Sequence, residues 1–335
     1  MKKIISVLTA SALALSLAAC GSSASSSSAV TSEASSGAPA ESYKIAIVQQ
    51  LDHSSLDEIR LAIEAELTAS AAANNIGLTF KTYNGQNDAS VLNQIGTEVV
   101  AEGFDMIIPI ATTAAQCMVT AADGSIPVIY AAVSDPEGNG LTGFDNVTGT
   151  SDALNTPFIL DMMLAVTPDI QAVGLLYSNS EPNSQLPIAQ AKEYLDSKGI
   201  AYIEKTGTTA GEIIEAASAL VGRCDAVFTP TDNAVMATEA AVSEILNEAG
   251  IPHYAGADSF VQSGAFATCG VNYTELGTYT AKMAMDILLG GDVPEFHVMD
   301  GGIITVNTET ATAIGADFSA FASMANTVKE VVTGE

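Results

Sequence analysis

Hydrophobic residues along this chain fall into short unbroken runs that alternate with longer stretches of helical spacing. Residues 45–48 form one such run, and in the stretch that follows, Leu56, Ile59 and Ile63 recur every three or four positions. Unbroken apolar runs are typical of strands buried on both faces, and the wider spacing predicts amphipathic helices. Alternation of the two is typical of parallel sheets with helices on both faces.

The alternation occurs twice, which predicts two lobes of similar construction. In the first run we predict strands over 45–48, 78–83, 106–111 and 128–133 and helices over 56–75, 90–101 and 113–122. In the second run we predict strands over 173–177, 202–205, 226–229, 253–256, 266–271 and 303–306 and helices over 153–166, 183–198, 211–221, 234–249 and 275–289. The predicted fold class is α/β, with two doubly wound parallel-sheet lobes. A ligand would then bind in the cleft outside the carboxyl ends of the strands.

The N-terminal residues predict export and lipid attachment. Lys2 and Lys3 precede an apolar stretch, residues 4–15, that is too short to span a bilayer as a stable helix. Small residues then lead to Cys20, an order that resembles the lipobox of bacterial lipoproteins and implies cleavage before Cys20 and lipidation of it. An ordinary signal peptide with a chance cysteine is the alternative. We therefore expect a signal peptide at 1–19 and an extracytoplasmic location with a lipid anchor in the cell membrane.

Residues 20–42 follow as a segment made almost entirely of Ser, Ala and Gly. Such a segment buries too little apolar surface to offset the entropy of ordering it. We expect it to be a flexible tether between the lipidated cysteine and the folded domain.

Composition excludes several classes of function. The chain has 335 residues, enough for two domains, and its formal net charge of −28 repels nucleic acid. Its three histidines are far apart, and the sequence contains no phosphate loop or nucleophile elbow. We therefore predict no catalytic residues, no metal and no cofactor, and we expect a monomer. Of Cys117, Cys224 and Cys269, at least one must be unpaired, although a bridge between the last two stays open.

Loops rich in hydroxyls, amides and carboxylates follow most of the predicted strands. They are residues 49–57, 84–88, 112–116, 134–136, 178–184, 229–233 and 257–259. For any single one of these side chains an ordinary helix N-cap is an equally good explanation, but the loops all fall at the same end of the sheets. They contain acids and no Lys or Arg, so a strongly anionic ligand is disfavoured. A neutral or zwitterionic ligand fits better, and the absence of Trp weakens the sugar interpretation.

At these loops the chain resembles the ABC-transporter substrate-binding proteins whose best-known members bind tryptophan and other aromatic amino acids. The matching segments, in order, are IVQ at 47–49, HSSLD at 53–57, NGQN at 84–87, ATTAAQ at 111–116, VSDP at 133–136, LYSNSEPNS at 176–184, PTDN at 230–233, DSFVQSGA at 258–265 and GVNY at 270–273. The resemblance implies a type I periplasmic-binding fold with three hinge crossings. We expect the first lobe to comprise 43–147 plus 273–296 and the second 148–272 plus 297–335.

The resemblance also implies partners and a site. The partners would be a small-molecule ligand, an amino acid above all, and the permease and ATPase of an importer. The ligand contacts would come from Asp57, Thr112, Thr113, Ser134, Asp135, Ser180, Glu181, Asn183, Asp232 and Asp258. Our hypothesis is that Thr112, Thr113 and Ser134 hold a carboxylate and that Asp232 or Asp258 takes an ammonium group. His53 is ambiguous between a surface residue and a ligand contact.

Three alternatives remain at this point. The ligand could be a sugar or nucleoside. The protein could present its ligand to a signalling receptor instead of an importer, because both functions use the same closure of the lobes. A lipid-anchored hydrolase on a similar frame would need a nucleophile, a base and an oxyanion site, and the sequence contains no recognisable set.

Overall fold

The computed structural model describes residues 41–334. The predicted signal peptide, Cys20 and the tether up to residue 40 lie outside these residues. Within the described range, no helix is both long enough and apolar enough to cross a membrane.

Strands and helices alternate along the chain. The strands are β1 (Ser42–Gln49), β2 (Gly77–Asn84), β3 (Met106–Ile110), β4 (Val128–Tyr130), β5 (Val147–Ser151), β6 (Ala172–Tyr177), β7 (Ala201–Thr206), β8 (Ala226–Thr229), β9 (His253–Ala255), β10 (Ala267–Gly270), β11 (His297–Val298), β12 (Ile303–Asn307) and β13 (Thr327–Val331). The helices are α1 (Ser54–Asn74), α2 (Ala89–Ala101), α3 (Thr112–Ala122), α4 (Thr156–Val166), α5 (Gln185–Lys198), α6 (Ala210–Ser218), α7 (Asn233–Met236), α8 (Glu239–Glu248), α9 (Asp258–Gln262), α10 (Tyr273–Leu288) and α11 (Thr308–Ile314).

The strands form two sheets, one in each lobe. The first sheet has the order β11-β5-β4-β3-β1-β2 and the second the order β13-β12-β10-β9-β8-β6-β7. All neighbouring strands are parallel except β10 and β12, which are antiparallel. The predicted class, α/β with two parallel-sheet lobes, is confirmed, and the antiparallel pair near one edge is an addition to it.

The unbroken apolar run of β1 is explained by burial on both faces of the sheet. Ile45 and Ile47 belong to the core that also contains Ile59 of α1. Ala46 and Val48 belong to the core on the other face. All four side chains are fully buried, so neither face of the strand tolerates the polar alternation of a half-exposed sheet.

The chain crosses between the lobes three times, after β5, after β10 and after β11. The second crossing leads into α10, which packs on α1 of the first lobe. The approach is close: a Cβ added to Gly277 would lie 2.5 Å from the carbonyl oxygen of Ile59. The resemblance led us to expect three crossings of this kind.

The lobe boundaries differ from the predicted ones by a few residues. We assigned 148–151 and 297–298 to the second lobe. In the structure Thr148 and Gly149 pair with β4, and His297 pairs with Thr150, so both segments belong to the first sheet. The crossings therefore follow Ser151 and Val298.

Five elements were not predicted, namely β5, β11, β13, α9 and α11. The strand β5 has the sequence VTGTS, which carries no apolar run although every residue is buried. The predicted helix over 234–249 is divided into α7 and α8, and Thr238 lies at the break, where its hydroxyl donates to the carbonyl of Val235 at 3.0 Å. Within the described residues, Cys117, Cys224 and Cys269 are free.

Candidate functional site

A cavity lies between the two lobes, at the carboxyl ends of the strands of both sheets. About 340 Å³ of space between atoms lies here, part of it continuous with solvent. The lining side chains come from both lobes and from the hinge: His53, Ser55, Leu56, Ala111, Ala132, Ser134, Asp152, Asn183, Thr231, Asp232, Asn233, Met236, Ala257, Phe260 and Tyr273.

Four side-chain hydrogen bonds join the lobes across this cavity. They connect Gln50 Nε2 with Glu181 Oε1 (3.1 Å), His53 Nε2 with Asn233 Oδ1 (3.0 Å), Ser134 Oγ with Thr231 Oγ1 (3.1 Å), and the hydroxyls of Ser55 and Ser259. Every pair has one partner from each lobe. The closed arrangement is thus held by polar groups that would exchange for water when the lobes separate.

Glu181 is a buried carboxyl at the centre of one of these networks. Its oxygens accept from Gln50 at 3.1 Å and from Asn233 at 2.8 Å. Burial raises the pKa of Glu181 to about 8, and repulsion from the neighbouring Asp232 acts in the same direction. Desolvation of this kind disfavours the charged form unless a cation is brought to it.

Asp232 has a structural position. One of its oxygens accepts from the backbone N–H of Ser178 and the hydroxyl of Ser184, both at 2.7 Å, and the other accepts from the N–H of Val235 at 3.0 Å. Asp232 therefore caps α7 and fixes the loop after β6. Three of its roughly four acceptor sites are thus used within the second lobe, and our hypothesis that it takes an ammonium group stays a prediction.

Asp152 is a second buried aspartate in the cavity wall. It follows β5 at the first hinge crossing, is buried, and accepts from Ser134 at 2.8 Å and from the phenol of Tyr273 at 3.0 Å. Tyr273 begins α10 just after the second crossing. Burial raises the pKa of Asp152, although both hydroxyls act in the opposite direction. The hydrogen bond between Asp152 and Tyr273 joins two hinge segments at the wall of the cavity.

The N-terminus of α3 supplies hydrogen-bond donors, in contrast to the carboxyl acceptors described above. The hydroxyls of Thr112 and Thr113 are buried without a hydrogen-bond partner among the described residues. Ala111 precedes them with φ 76° and ψ 162°, a conformation that non-glycine residues rarely adopt. A second alanine of the cavity wall, Ala132, has φ 54°. Unpartnered hydroxyls at a helix N-terminus favour an anionic group.

The predicted site residues divide into two sets. Ser134, Asn183 and Asp232 line the cavity, and Glu181, Thr112 and Thr113 adjoin it through their contacts or their neighbours. The other four lie outside the lining: Asp57 binds Arg60 on α1, Asp135 accepts from Gly138 in a turn, Ser180 is exposed, and Asp258 faces Lys329 at 3.8 Å in a separate cavity. For Asp258, therefore, the ammonium hypothesis does not agree with the geometry.

Sequence reasoning missed Asp152 and Tyr273. Asp152 follows a strand that carries no apolar run, so nothing indicated that a carboxyl end of the sheet was there. Tyr273 ended the last segment of the family resemblance, and that position was the available signal. Within residues 41–334 no three His, Cys, Asp or Glu side chains are grouped as a metal site requires.

Comparison with known proteins gives one consistent result. Residues 44–320 match the family model described as ABC transporter substrate binding protein. A tyrosine-binding protein of Clostridioides difficile is 31% identical over 321 residues, which is 93% of this chain and 92% of the relative.

Solved structures add a comparison of shape. A structure from Streptococcus pneumoniae in complex with L-Trp has a TM-score of 0.79 at 28% identity, covering 86% of this chain and 99% of the other. A ligand-free, open substrate-binding protein with adhesive properties from Clostridium difficile has a TM-score of 0.65 at 32% identity, covering 87% and 99%. The higher TM-score to the complex, despite the lower identity, agrees with the closed lobes seen here.

The family binds substrates for transport and does not convert them, and its members work outside the cytoplasm. The two lobes, the three crossings and the cavity at the strand ends agree with the fold of the matched proteins. This chain belongs to the ABC transporter substrate-binding proteins of the type I periplasmic-binding fold.

Proposed function

We propose that the protein captures an aromatic L-amino acid by closure of its lobes and delivers it to an importer while anchored to the membrane through lipid on Cys20. The observation that carries the ligand assignment is that acceptor and donor groups lie at different places around one cavity. The carboxyl of Asp152 in the cavity wall suits an ammonium group. The unpartnered hydroxyls of Thr112 and Thr113, which follow the lining residue Ala111, suit a carboxylate.

The apolar part of the cavity supports a ligand with a large side chain. Leu56, Met236 and Phe260 contribute apolar side chains to the lining. The relatives agree with this, since one is named for binding tyrosine and another was solved with L-Trp. Entry of such a ligand between the lobes requires the cross-lobe hydrogen bonds to open.

The ammonium assignment is tested by calorimetric titration of the purified protein with L-Tyr and L-Trp. We expect Asp152→Asn to weaken binding roughly tenfold to a hundredfold, because a charge-assisted hydrogen bond is lost inside the cavity. Tyr273→Phe is the matched control, since it removes one bond to Asp152 but leaves the charge. If Asp152→Asn binds with the wild-type Kd, the ammonium lies elsewhere.

The ligand class is tested by thermal unfolding in the presence of amino acids, sugars and nucleosides. A ligand at a hundredfold excess over its Kd raises apparent stability by about 2.7 kcal/mol. A shift with glucose or adenosine and none with aromatic amino acids would replace our proposal by the alternative ligand classes.

The anchor and the monomeric state are proposals from the sequence. Wild-type protein expressed in bacteria should incorporate radiolabelled palmitate and partition into detergent, and Cys20→Ser should do neither. Equal labelling of the two proteins would refute lipidation at Cys20. Light scattering of the purified protein should give the mass of one chain.

A further inference from the structure

His53 lies in the cavity wall, and its contacts fix which ring nitrogen carries the proton. The amide of Asn233 donates from Nδ2 to the carboxyl of Glu181 at 2.8 Å, so its Oδ1 faces His53. Because Oδ1 can only accept, His53 donates to it from Nε2, at 3.0 Å.

The other ring nitrogen is left without a partner. Nδ1 of His53 is buried and has no hydrogen-bond partner among the described residues. Burial lowers the pKa of His53, against the pull of Asn233, Asp57 and Asp52, so the ring is neutral. With the proton on Nε2, Nδ1 is an acceptor, and a buried acceptor without a donor costs roughly 1–3 kcal/mol.

His53 shares the cavity wall with the apolar side chains of Met236 and Phe260. Met236 lies one helical turn after Asn233 on α7, and its sulfur accepts from the hydroxyl of Ser259 at 3.5 Å. Ser259 in turn meets Ser55, two residues after His53, and Phe260 follows it. The carboxyl of Asp152, by contrast, is held by Ser134 and Tyr273 at the hinge.

We propose that His53 is a specificity-determining residue whose Nδ1 accepts a hydrogen bond from a donor on the ligand's aromatic ring, either the phenol O–H of tyrosine or the indole N–H of tryptophan. This deepens the proposed function and rests on it. A ligand ring without a donor leaves Nδ1 unpaired, and the site therefore discriminates against phenylalanine.

Two pairs of ligands isolate the ring donor. L-Tyr and L-Phe differ by the hydroxyl, and L-Trp and 3-benzothienyl-L-alanine differ by replacement of the indole N–H by sulfur. For wild-type protein we expect the first member of at least one pair to bind about tenfold more tightly than the second, as one neutral hydrogen bond allows. Isothermal titration measures all four Kd values.

Two variants of His53 distinguish the role of Nδ1 from that of Nε2. His53→Gln keeps a donor near the position of Nε2 but has no acceptor near the position of Nδ1. The ratio of the two Kd values in each ligand pair should therefore fall to about one. His53→Asn keeps an amide oxygen near the position of Nδ1 and lacks the donor to Asn233, so part of the preference should remain. Melting temperatures without ligand show whether each variant is folded, and the preference is a ratio within one variant.

The outcomes distinguish the two proposals. If none of the four ligands binds the wild-type protein, the proposed function fails. If all four bind with equal affinity, or if His53→Gln keeps the full wild-type preference, the assignment of Nδ1 is overturned while the function stands. Equal weakening of L-Tyr and L-Phe in His53→Gln would place Nδ1 on the ammonium group, and this also overturns the assignment.

Discussion

Replacing Glu181 by Gln should change how the stability of the ligand-free protein depends on pH. The pKa of Glu181 is about 8 in the folded protein, against an ordinary value of 4.5. The folded state therefore binds one more proton than the unfolded state between these values. The stabilising contribution of the protonated carboxyl is complete below about pH 4.5 and is lost as the pH rises to about 8.

The magnitude follows from the proton difference. Each pH unit in this window lowers the free energy of unfolding by up to about 1.36 kcal/mol for one extra proton. Between about pH 5.5 and about pH 7.5 the wild-type protein should lose about 2–3 kcal/mol relative to Glu181→Gln, which cannot titrate.

Urea unfolding followed by far-ultraviolet circular dichroism measures this difference. The quantity of interest is the change in unfolding free energy with pH, so a constant loss in the variant does not affect it. Glu193→Gln is the matched control, because Glu193 is an exposed residue of α5. If wild type and Glu181→Gln show the same dependence on pH, Glu181 does not take up a proton on folding and the reasoning is refuted.

Three further predictions concern packing and helix structure, and chemical denaturation measures each one. Phe266→Ala should cost about 3–5 kcal/mol, because this ring is fully buried; a cost under about 1 kcal/mol would contradict the packing. Thr209→Ala should cost about 1 kcal/mol, because it breaks the capping box with Glu212 at the start of α6, and an unchanged stability would contradict the cap. Gly277→Ala should destabilise by about 1–3 kcal/mol where α10 meets α1, whereas Gly211→Ala, with open space around it, should not.

The sequence was informative wherever local pattern and burial agree. The run at β1 is apolar because both faces of the sheet are covered, so periodicity alone located it. The polar loops were informative for a related reason: the carboxyl ends of parallel strands share one edge. This predicts that Ser134, Asn183 and Asp232 lie together, and all three line the cavity.

The sequence failed where an element owes its burial to distant parts of the chain. The strand β5 is polar yet fully buried, because it lies between β4 on one side and the hinge segment β11 on the other. No local pattern predicts such a strand, so the carboxyl that follows it, Asp152, was not recognised as part of the site.

By itself, the sequence determined the α/β class, the two lobes and the edge of each sheet where a ligand would bind, because these depend on periodicity along the chain. Tertiary structure alone decided the role of each polar side chain. Asp232 and Asp152 are the same residue type in comparable loops, but backbone donors occupy the oxygens of one while only hydroxyls meet the other. Which donors surround a carboxyl depends on how separate loops meet, and that is settled only when the lobes pack.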